Sequence, residues 1–162
     1  MKKSAFLALF LALAGALGIL DLYGEDAVIL GGGTALTGKA FGVTHVPTVK
    51  GQSMPAYEPR AVKGIGITYA TTPMGADHTA GNTVRAKVDH LDAKANMATS
   101  RAAQINMAGF DTLGACIFAG FGFMVNPEVI PDLLNARYGW HVGPDILQVL
   151  GKDTLTHERE FN

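Results

Sequence analysis

The stretch LDAKANMATSRAAQINM, residues 91–107, contains neither Pro nor Gly and is rich in Ala, Met, Gln and Lys. These residue types are good helix formers, because short or unbranched side chains lose little conformational freedom in a helix. The stretch predicts a helix over residues 91–108, and it indicates a fold built mainly from helices.

Two more helices are predicted downstream of this stretch. One begins at the capping sequence NPE, residues 126–128, and covers residues 127–137. It is expected to stop at Gly139, because Gly readily takes the left-handed conformation that closes a helix. The other begins at the sequence GPD, residues 143–145, and covers residues 144–160, where apolar side chains recur at helical spacing.

Strand candidates are few and short. Residues 27–30 and 65–69 could be extended, but no stretch alternates for long enough to build a sheet. The sequence therefore predicts an all-α fold, an irregular helical domain with Gly-rich loops and at most a short β ribbon.

The composition is that of a globular chain with balanced charge. Hydrophobic residues make up 48% of the 162 residues, so the chain can bury a core. Thirteen Lys and Arg stand against 14 Asp and Glu, a net charge of −1. This balance excludes a general polyanion binder, because neutralising phosphates needs a clustered basic surplus, and no nucleic-acid partner is expected.

Residues 1–20 differ from the rest of the chain. A cationic start containing Lys2 and Lys3 precedes the uncharged apolar run of residues 5–20. This pattern is typical of a secretory signal peptide, and a helix buried on all sides is the alternative. The run falls short of the roughly 20 residues that a membrane-spanning helix needs. Residues 21–162 are predicted to form a single helical domain.

Residues 33–40, GTALTGKA, share the Gly and Lys positions of a phosphate-binding loop. Ala40 stands where such a loop needs a Ser or Thr hydroxyl for magnesium, and no later apolar strand ends in an Asp suited to the metal. The favoured interpretation is a Gly-rich entry into a helix.

Two histidines have acidic neighbours. His90 lies between Asp89 and Asp92, which suits a weak metal site but more often marks a solvated helix start. His78 follows Asp77 at the end of a short turn-forming stretch, where the turn can hold the imidazole rigidly.

The single cysteine, Cys116, cannot form an internal disulfide, a four-cysteine zinc site or a complete iron–sulfur ligand set. Apolar neighbours favour a buried structural thiol, whereas the tight Gly-containing turn before it suits a thiolate ligand. Spacing does not separate these two interpretations.

Three stretches together resemble the tungsten-containing aldehyde ferredoxin oxidoreductase family. They are VKGQSMPAYEPRAVKGIGITYATTPMGADHT at residues 49–79, DTLGAC at residues 111–116 and the late helix at residues 147–162. The likeness is specific from about Gly31 to the end, and the first thirty residues carry none.

The resemblance implies roles for six residues. His78 is expected to be the catalytic proton-transfer group when an aldehyde is oxidised to a carboxylic acid. The cofactor-binding residues implied for a tungstopterin, a molybdopterin-type cofactor, are Asp111, Gly114, Ala115 and Thr79. Cys116 is the implied metal ligand, the last of four ligands to a 4Fe-4S cluster. Ala115 replaces the Leu that is usual in the family.

The family also has parts that this sequence lacks. Its other three cluster cysteines and its amino-terminal pterin-binding domain lie upstream, and its sequence continues beyond Asn162. The chain is therefore expected to be a carboxy-terminal helical portion, truncated at both ends, that binds no cofactor stably alone. The implied partners are ferredoxin, a small aldehyde substrate, and the missing upstream domains or a companion subunit.

Two functions remain open at this point. The first is a fragment of an aldehyde oxidoreductase, inactive without the missing domains, and the resemblance implies a cytoplasmic location for it. The second is a non-enzymatic helical domain that keeps the family sequence without its chemistry. That domain would be secreted or periplasmic if residues 1–20 act as a signal peptide, and membrane-associated if they are retained as an anchor.

Overall fold

The structure is a computed structural model that describes residues 25–123 and 125–162. Within these residues the chain forms seven helices and one two-stranded sheet. The helices are α1 (Glu25–Gly31), α2 (Thr34–Ala40), α3 (Lys63–Thr71), α4 (Ala93–Thr112), α5 (Ile117–Phe123), α6 (Val129–Tyr138) and α7 (Ile146–Phe161). The strands are β1 (Thr48–Val49) and β2 (Gln52–Ser53). The prediction of an all-α fold with a short β ribbon is confirmed.

The chain divides between Ser53 and Met54 into two compact units. The described residues of both units lie within residues 21–162, and the single domain predicted there stays a prediction. The predicted leader, residues 1–20, lies outside the described residues.

The first unit contains α1, α2 and the β ribbon. α2 begins after Gly33, whose φ of 88° is left-handed, so the interpretation of residues 33–40 as a Gly-rich helix entry is confirmed. The Thr37 hydroxyl donates to the Gly33 and Ile29 carbonyls, which ties α2 to α1. The strand proposed for residues 27–30 is wrong, because these residues lie in α1.

The ribbon is a hairpin with a two-residue loop. Thr48 pairs with Ser53 and Val49 pairs with Gln52 in antiparallel register. Lys50 and Gly51 have φ angles of 53° and 81°. Two successive left-handed residues are typical of a type I′ turn, whose twist matches that of the flanking strands.

The second unit is helical, and α4 is its central element. Asp92 caps the first turn of α4, because its carboxylate accepts hydrogen bonds from the Lys94 and Ala95 amides. The helix predicted over residues 91–108 is confirmed and runs four residues further, to Thr112. Residues 65–69, the second strand candidate, lie in α3, so that prediction is wrong as well.

A buried polar contact joins α3 to α4. The Thr68 hydroxyl lies 2.8 Å from the Ser100 hydroxyl and donates to the Gly81 carbonyl at 2.9 Å, and Thr68 and Ser100 are both 0% exposed. The Gln104 amide extends this network to Ser100. Because the buried hydroxyls have partners, the interface avoids the penalty for unpaired polar groups.

A close helix crossing joins α4 to α7. A Cβ atom at Gly109 would collide with the Leu147 carbonyl, and one at Gly151 would collide with the Ile105 carbonyl. Glycine at both positions therefore lets the two backbones approach directly. The Thr112 and Thr154 hydroxyls lie 2.7 Å apart and add a hydrogen bond to this contact.

The last two helices follow the predicted boundaries closely. α6 ends at Gly139, which has a left-handed φ of 69° and donates to the Asn135 carbonyl. The Asn135 side chain then pairs with both backbone groups of Val142, which orients the connection to α7. Among the described residues no single helix is long and apolar enough to cross a membrane, and α4 and α5, bent by 103° at their junction, pass that test only as a pair.

Candidate functional site

His78 lies in a turn held by its neighbours. The Thr72 hydroxyl donates to the Gly75 carbonyl and lies 3.1 Å from the Gly75 amide, and Gly75 has a left-handed φ of 90°. Asp77 then accepts two hydrogen bonds from Thr79, one from the amide at 2.8 Å and one from the hydroxyl at 2.7 Å. His78 stands between the two residues of this clip, so its backbone position is defined.

The His78 side chain meets an aromatic ring. The Tyr57 and His78 ring centroids are 5.2 Å apart, with 33° between the ring planes. The Tyr69 hydroxyl donates to the Tyr57 carbonyl at 3.3 Å, and Tyr69 is only 1% exposed. The imidazole thus lies beside a Tyr whose backbone is bonded to a core side chain.

Two carboxylates lie close to this group. The pKa of Asp111 is raised, mainly by partial burial of its carboxylate and then by the negative charge of Asp77. Although Asp111 is exposed as a whole residue, its carboxylate has no hydrogen-bond donor in the described part of the chain. The pKa of Tyr69 is also raised, first by burial, then by Tyr57 and Asp77. The causes of these two pKa shifts indicate that Asp77 interacts electrostatically with both Asp111 and Tyr69, and that Tyr57 interacts with Tyr69.

The turn after Asp111 ends α4. The Gly114 amide donates to the Asp111 carbonyl and the Ala115 amide donates to the Phe110 carbonyl, both at 2.9 Å. These two hydrogen bonds and the left-handed φ of 64° at Gly114 form a Schellman motif. A residue with a side chain would be strained in the backbone conformation of Gly114. The motif ends one residue before Cys116.

The start of α5 places Cys116. The Cys116 carbonyl accepts from the Ala119 amide at 2.9 Å, and the Phe110 and Phe123 rings stack at 6.3 Å. The thiol is exposed, so the buried structural interpretation of this cysteine is wrong. The apolar neighbours were misleading because one of them, Phe118, is itself 75% exposed.

The donor set can be compared with the implied cofactors. An exposed thiol after a fixed turn fits one ligand position of an iron–sulfur cluster, but a complete site needs four ligands and the chain has one Cys. Among the described residues no group of three or more His, Cys, Asp or Glu could hold a metal ion. The unpartnered Asp111 carboxylate fits a contact with hydrogen-bond donors of a pterin.

Asp77 and Asp111 both line an open cleft of about 1480 Å³ in the second unit. Its other polar lining includes Thr71, Gln104 and Arg101. The volume exceeds the roughly 300–1,000 Å³ of an enclosed small-molecule pocket, so the cleft has room for a larger ligand.

The structure gives different outcomes for the six site residues. His78 pairs with Tyr57, Asp111 lines the cleft with Asp77, the sequence neighbour of His78, and Cys116 lies on the turn beyond α4. The Thr79 hydroxyl donates to Asp77, and the Ala115 amide donates to the Phe110 carbonyl in the Schellman motif. Each of these two groups therefore helps to hold a turn. Gly114 provides the left-handed position in that motif.

The interpretation of the His90 segment as a helix start is confirmed, but His90 is not fully solvated, because its Nδ1 atom is buried and has no hydrogen-bond partner among the described residues. Asp89 accepts from the Leu91 amide and Asp92 caps α4, so both carboxylates are used by the backbone. Among the described residues, His90 belongs to no group of three or more His, Cys, Asp or Glu that could hold a metal ion.

Sequence reasoning missed Tyr57 and Tyr69. Both lie within the stretch that carries the family resemblance, but Tyr69 belonged to a strand candidate and Tyr57 to a loop. No spacing rule connects a Tyr to a His 21 residues later, because the contact depends on the path of the intervening loops.

Comparison with known proteins identifies the chain's relatives. The family described as aldehyde ferredoxin oxidoreductase, domains 2 and 3, matches residues 23–162. The tungsten-containing aldehyde ferredoxin oxidoreductase of Pyrococcus horikoshii is 31% identical over 149 residues, which are 86% of this chain and 24% of that protein. The corresponding enzyme of Pyrococcus abyssi is 29% identical over the same shares of both chains.

A third relative matches a shorter part of the chain. The tungsten-containing enzyme of Pyrococcus furiosus is 30% identical over 123 residues, which are 71% of this chain and 20% of that protein. The chain thus spans about a quarter or less of the length of these curated relatives. Because the family match covers all of the described residues, the chain belongs to the aldehyde ferredoxin oxidoreductase family.

Proposed function

We propose that this chain is the carboxy-terminal helical part of a cytoplasmic aldehyde oxidoreductase and that it acts together with another polypeptide. The reaction is the oxidation of a small aldehyde and water to a carboxylic acid, with two electrons passing to ferredoxin and two protons released. The observation that carries the proposal is the exposed thiol of Cys116 on a fixed turn five residues after Asp111, in a chain that belongs to this family.

The two implied cofactors would have different tasks in the reaction. When bound, a tungstopterin would supply the two-electron oxidation and a 4Fe-4S cluster would carry the electrons onward. Asp111 and the turn of Gly114 and Ala115 would hold the pterin, and Cys116 would hold one corner of the cluster. The protein's task is to position these groups and to move protons.

His78 is the residue proposed to move the proton. An imidazole nitrogen can accept a proton from the attacking water and release it to solvent. The clip between Asp77 and Thr79 keeps the backbone of His78 in place.

The ligand count calls for cysteines from outside these 162 residues, either in the family's upstream domains or in a companion subunit. One cysteine leaves three cluster positions to be supplied from elsewhere. Several large apolar side chains of the second unit are exposed, among them Phe118 at 75% and Phe121 at 52%. Exposed apolar surface of this kind supports an interface with the missing domains or a companion subunit.

The proposal is tested by assembling the chain with a co-expressed polypeptide that carries the other three family cysteines. The purified assembly is supplied with a panel of small aldehydes, and reduction of ferredoxin is followed by absorbance. Aldehyde-dependent reduction by the assembly, and none by either polypeptide alone, is the expected result. A fully metallated assembly that oxidises no aldehyde would overturn the proposal.

A further inference from the structure

We propose that Tyr57 is a positioning residue for His78, its ring holding the imidazole in the orientation set by the turn around Asp77. This inference rests on the proposed function for its catalytic meaning, but the contact itself can be tested without activity. Tyr57 is not expected to touch the substrate or to transfer the proton.

The ring contact has the geometry of an attractive aromatic pair. The centroid separation of 5.2 Å lies inside the range of roughly 4.5–7 Å preferred by such pairs, and the planes are tilted by 33°. Rotation of the imidazole about its side-chain bonds would break this contact. The pair therefore favours one orientation of His78.

The backbone of Tyr57 is anchored by two hydrogen bonds. The Tyr69 hydroxyl donates to the Tyr57 carbonyl at 3.3 Å, and the Tyr57 amide donates to the Pro55 carbonyl at 2.7 Å. Tyr69 is 1% exposed and lies in α3, so the anchor belongs to the core of the unit. An anchored backbone limits the positions that the Tyr57 ring can take beside His78.

The opposite side of His78 is held only through the backbone. The clip between Asp77 and Thr79 fixes the main chain, but no hydrogen bond to the His78 imidazole occurs within residues 25–123 and 125–162. Among the described residues, the Tyr57 ring is the aromatic ring that pairs with the His78 imidazole, and this contact limits the orientation of the side chain. Removing the ring should release the imidazole while the turn stays formed.

The first test uses nuclear magnetic resonance on the intact chain. Histidine rings are labelled with carbon-13, and His78→Gln identifies the His78 signals among the five histidines. We expect a nuclear Overhauser effect between the Tyr57 and His78 rings in the wild-type chain. Its absence would overturn the proposal without the need for any variant of Tyr57.

Two variants of Tyr57 make this test specific. Tyr57→Phe keeps the ring and should keep both the Overhauser effect and the positions of the His78 signals. Tyr57→Leu removes the ring current and should shift the His78 signals, with the other four histidines unchanged. If the His78 signals of a folded Tyr57→Leu chain do not move, the proposal fails. If that variant does not fold, the wild-type chain and Tyr57→Phe decide.

The catalytic meaning is tested in the assembled enzyme. Tyr57→Leu should lower kcat towards the value of His78→Ala with KM nearly unchanged, and Tyr57→Phe should restore it. Equal kcat values for the wild type and Tyr57→Leu, in an assembly whose activity depends on His78, would overturn the positioning role. If activity does not depend on His78 while the ring contact is observed, the proposed function fails and the contact stands.

Discussion

The charge state of Asp111 can be tested by its effect on stability. Burial and the neighbouring charge of Asp77 raise its pKa above the ordinary value of 3.8, so the folded chain favours the protonated form. Stability from this group is fully present below pH 3.8 and is lost as the pH rises through the higher pKa of the folded state. At neutral pH the ionised carboxylate should therefore be unfavourable.

Asp111→Asn should raise the Tm at pH 7, and the gain should disappear below about pH 4. The gain should be small, because Asp111 is exposed as a residue and solvent screens its charge. Glu160→Gln is a matched control on an exposed carboxylate of α7 and should not reproduce this pH dependence. A lower Tm for Asp111→Asn at pH 7 would contradict the assignment.

The role of His78 predicts a loss of rate without a loss of metal. A general acid or base contributes about 10² to 10⁴ in rate, so His78→Ala in the assembled enzyme should lower turnover by roughly that factor. Iron and tungsten contents, measured on the same samples, should stay near the wild-type values. Near-normal aldehyde oxidation by a fully metallated His78→Gln enzyme would end the catalytic assignment.

The local structure of a site residue was predictable only where a short sequence pattern determines it. Gly114 ends α4 through a motif whose glycine is visible in the sequence, and His78 follows a turn-forming stretch. Exposure of Cys116 was not predictable, because it depends on how α5 leaves α4. The ring contact of Tyr57 with His78 depends on tertiary packing in the same way.

Helices with strong end signals were predicted well. The interval 144–160 became Ile146–Phe161, and 127–137 became Val129–Tyr138 with Gly139 closing it. Pro127 and Pro144 precede the two starts and Gly139 closes α6, and these signals act locally. Neither N-cap residue, Glu128 or Asp145, makes a side-chain capping hydrogen bond. Boundaries without such signals were less accurate, and α4 extends beyond the prediction to its Schellman motif at Gly114.

The two strand predictions failed for one physical reason. An apolar run of four or five residues has no period that separates a strand from a buried helix. At residues 65–69 the decision comes from packing, since Ile65, Thr68 and Tyr69 are buried on one face of α3 against α4. Such contacts are not visible in a short sequence window.

The crossing of α4 and α7 depends on the absence of side chains. Gly151→Ala would place a methyl group on the Ile105 carbonyl, and neither backbone can give way without moving its helix. Overpacking of this kind typically costs about 1–3 kcal/mol of unfolding free energy. Denaturant unfolding followed by circular dichroism should show that loss.

Gly122→Ala is the matched control for this crossing. Gly122 lies in α5 with nothing within 4 Å of the position of a Cβ atom, so alanine there should be neutral or stabilise by about 0.5–1 kcal/mol. Equal effects of the two substitutions would show that helix propensity, and not the close approach to α4, determines the result.

At the scale of the whole molecule, the chain combines family residues with an incomplete ligand set. It spans 24% of the length of its Pyrococcus horikoshii relative and contains one cysteine. The thiol of that cysteine is exposed. The central claim is that Cys116 completes a cluster whose other ligands come from elsewhere.

The most direct test is the iron and sulfide content of the chain purified alone and with a co-expressed polypeptide that carries the other three family cysteines. We expect no stable cluster in the chain alone and about four irons and four sulfides in the assembly. The Cys116→Ala assembly should lose that cluster. The variant should fold normally, because the thiol is exposed. A full cluster in the isolated chain, or an unchanged cluster in the Cys116→Ala assembly, would contradict the claim.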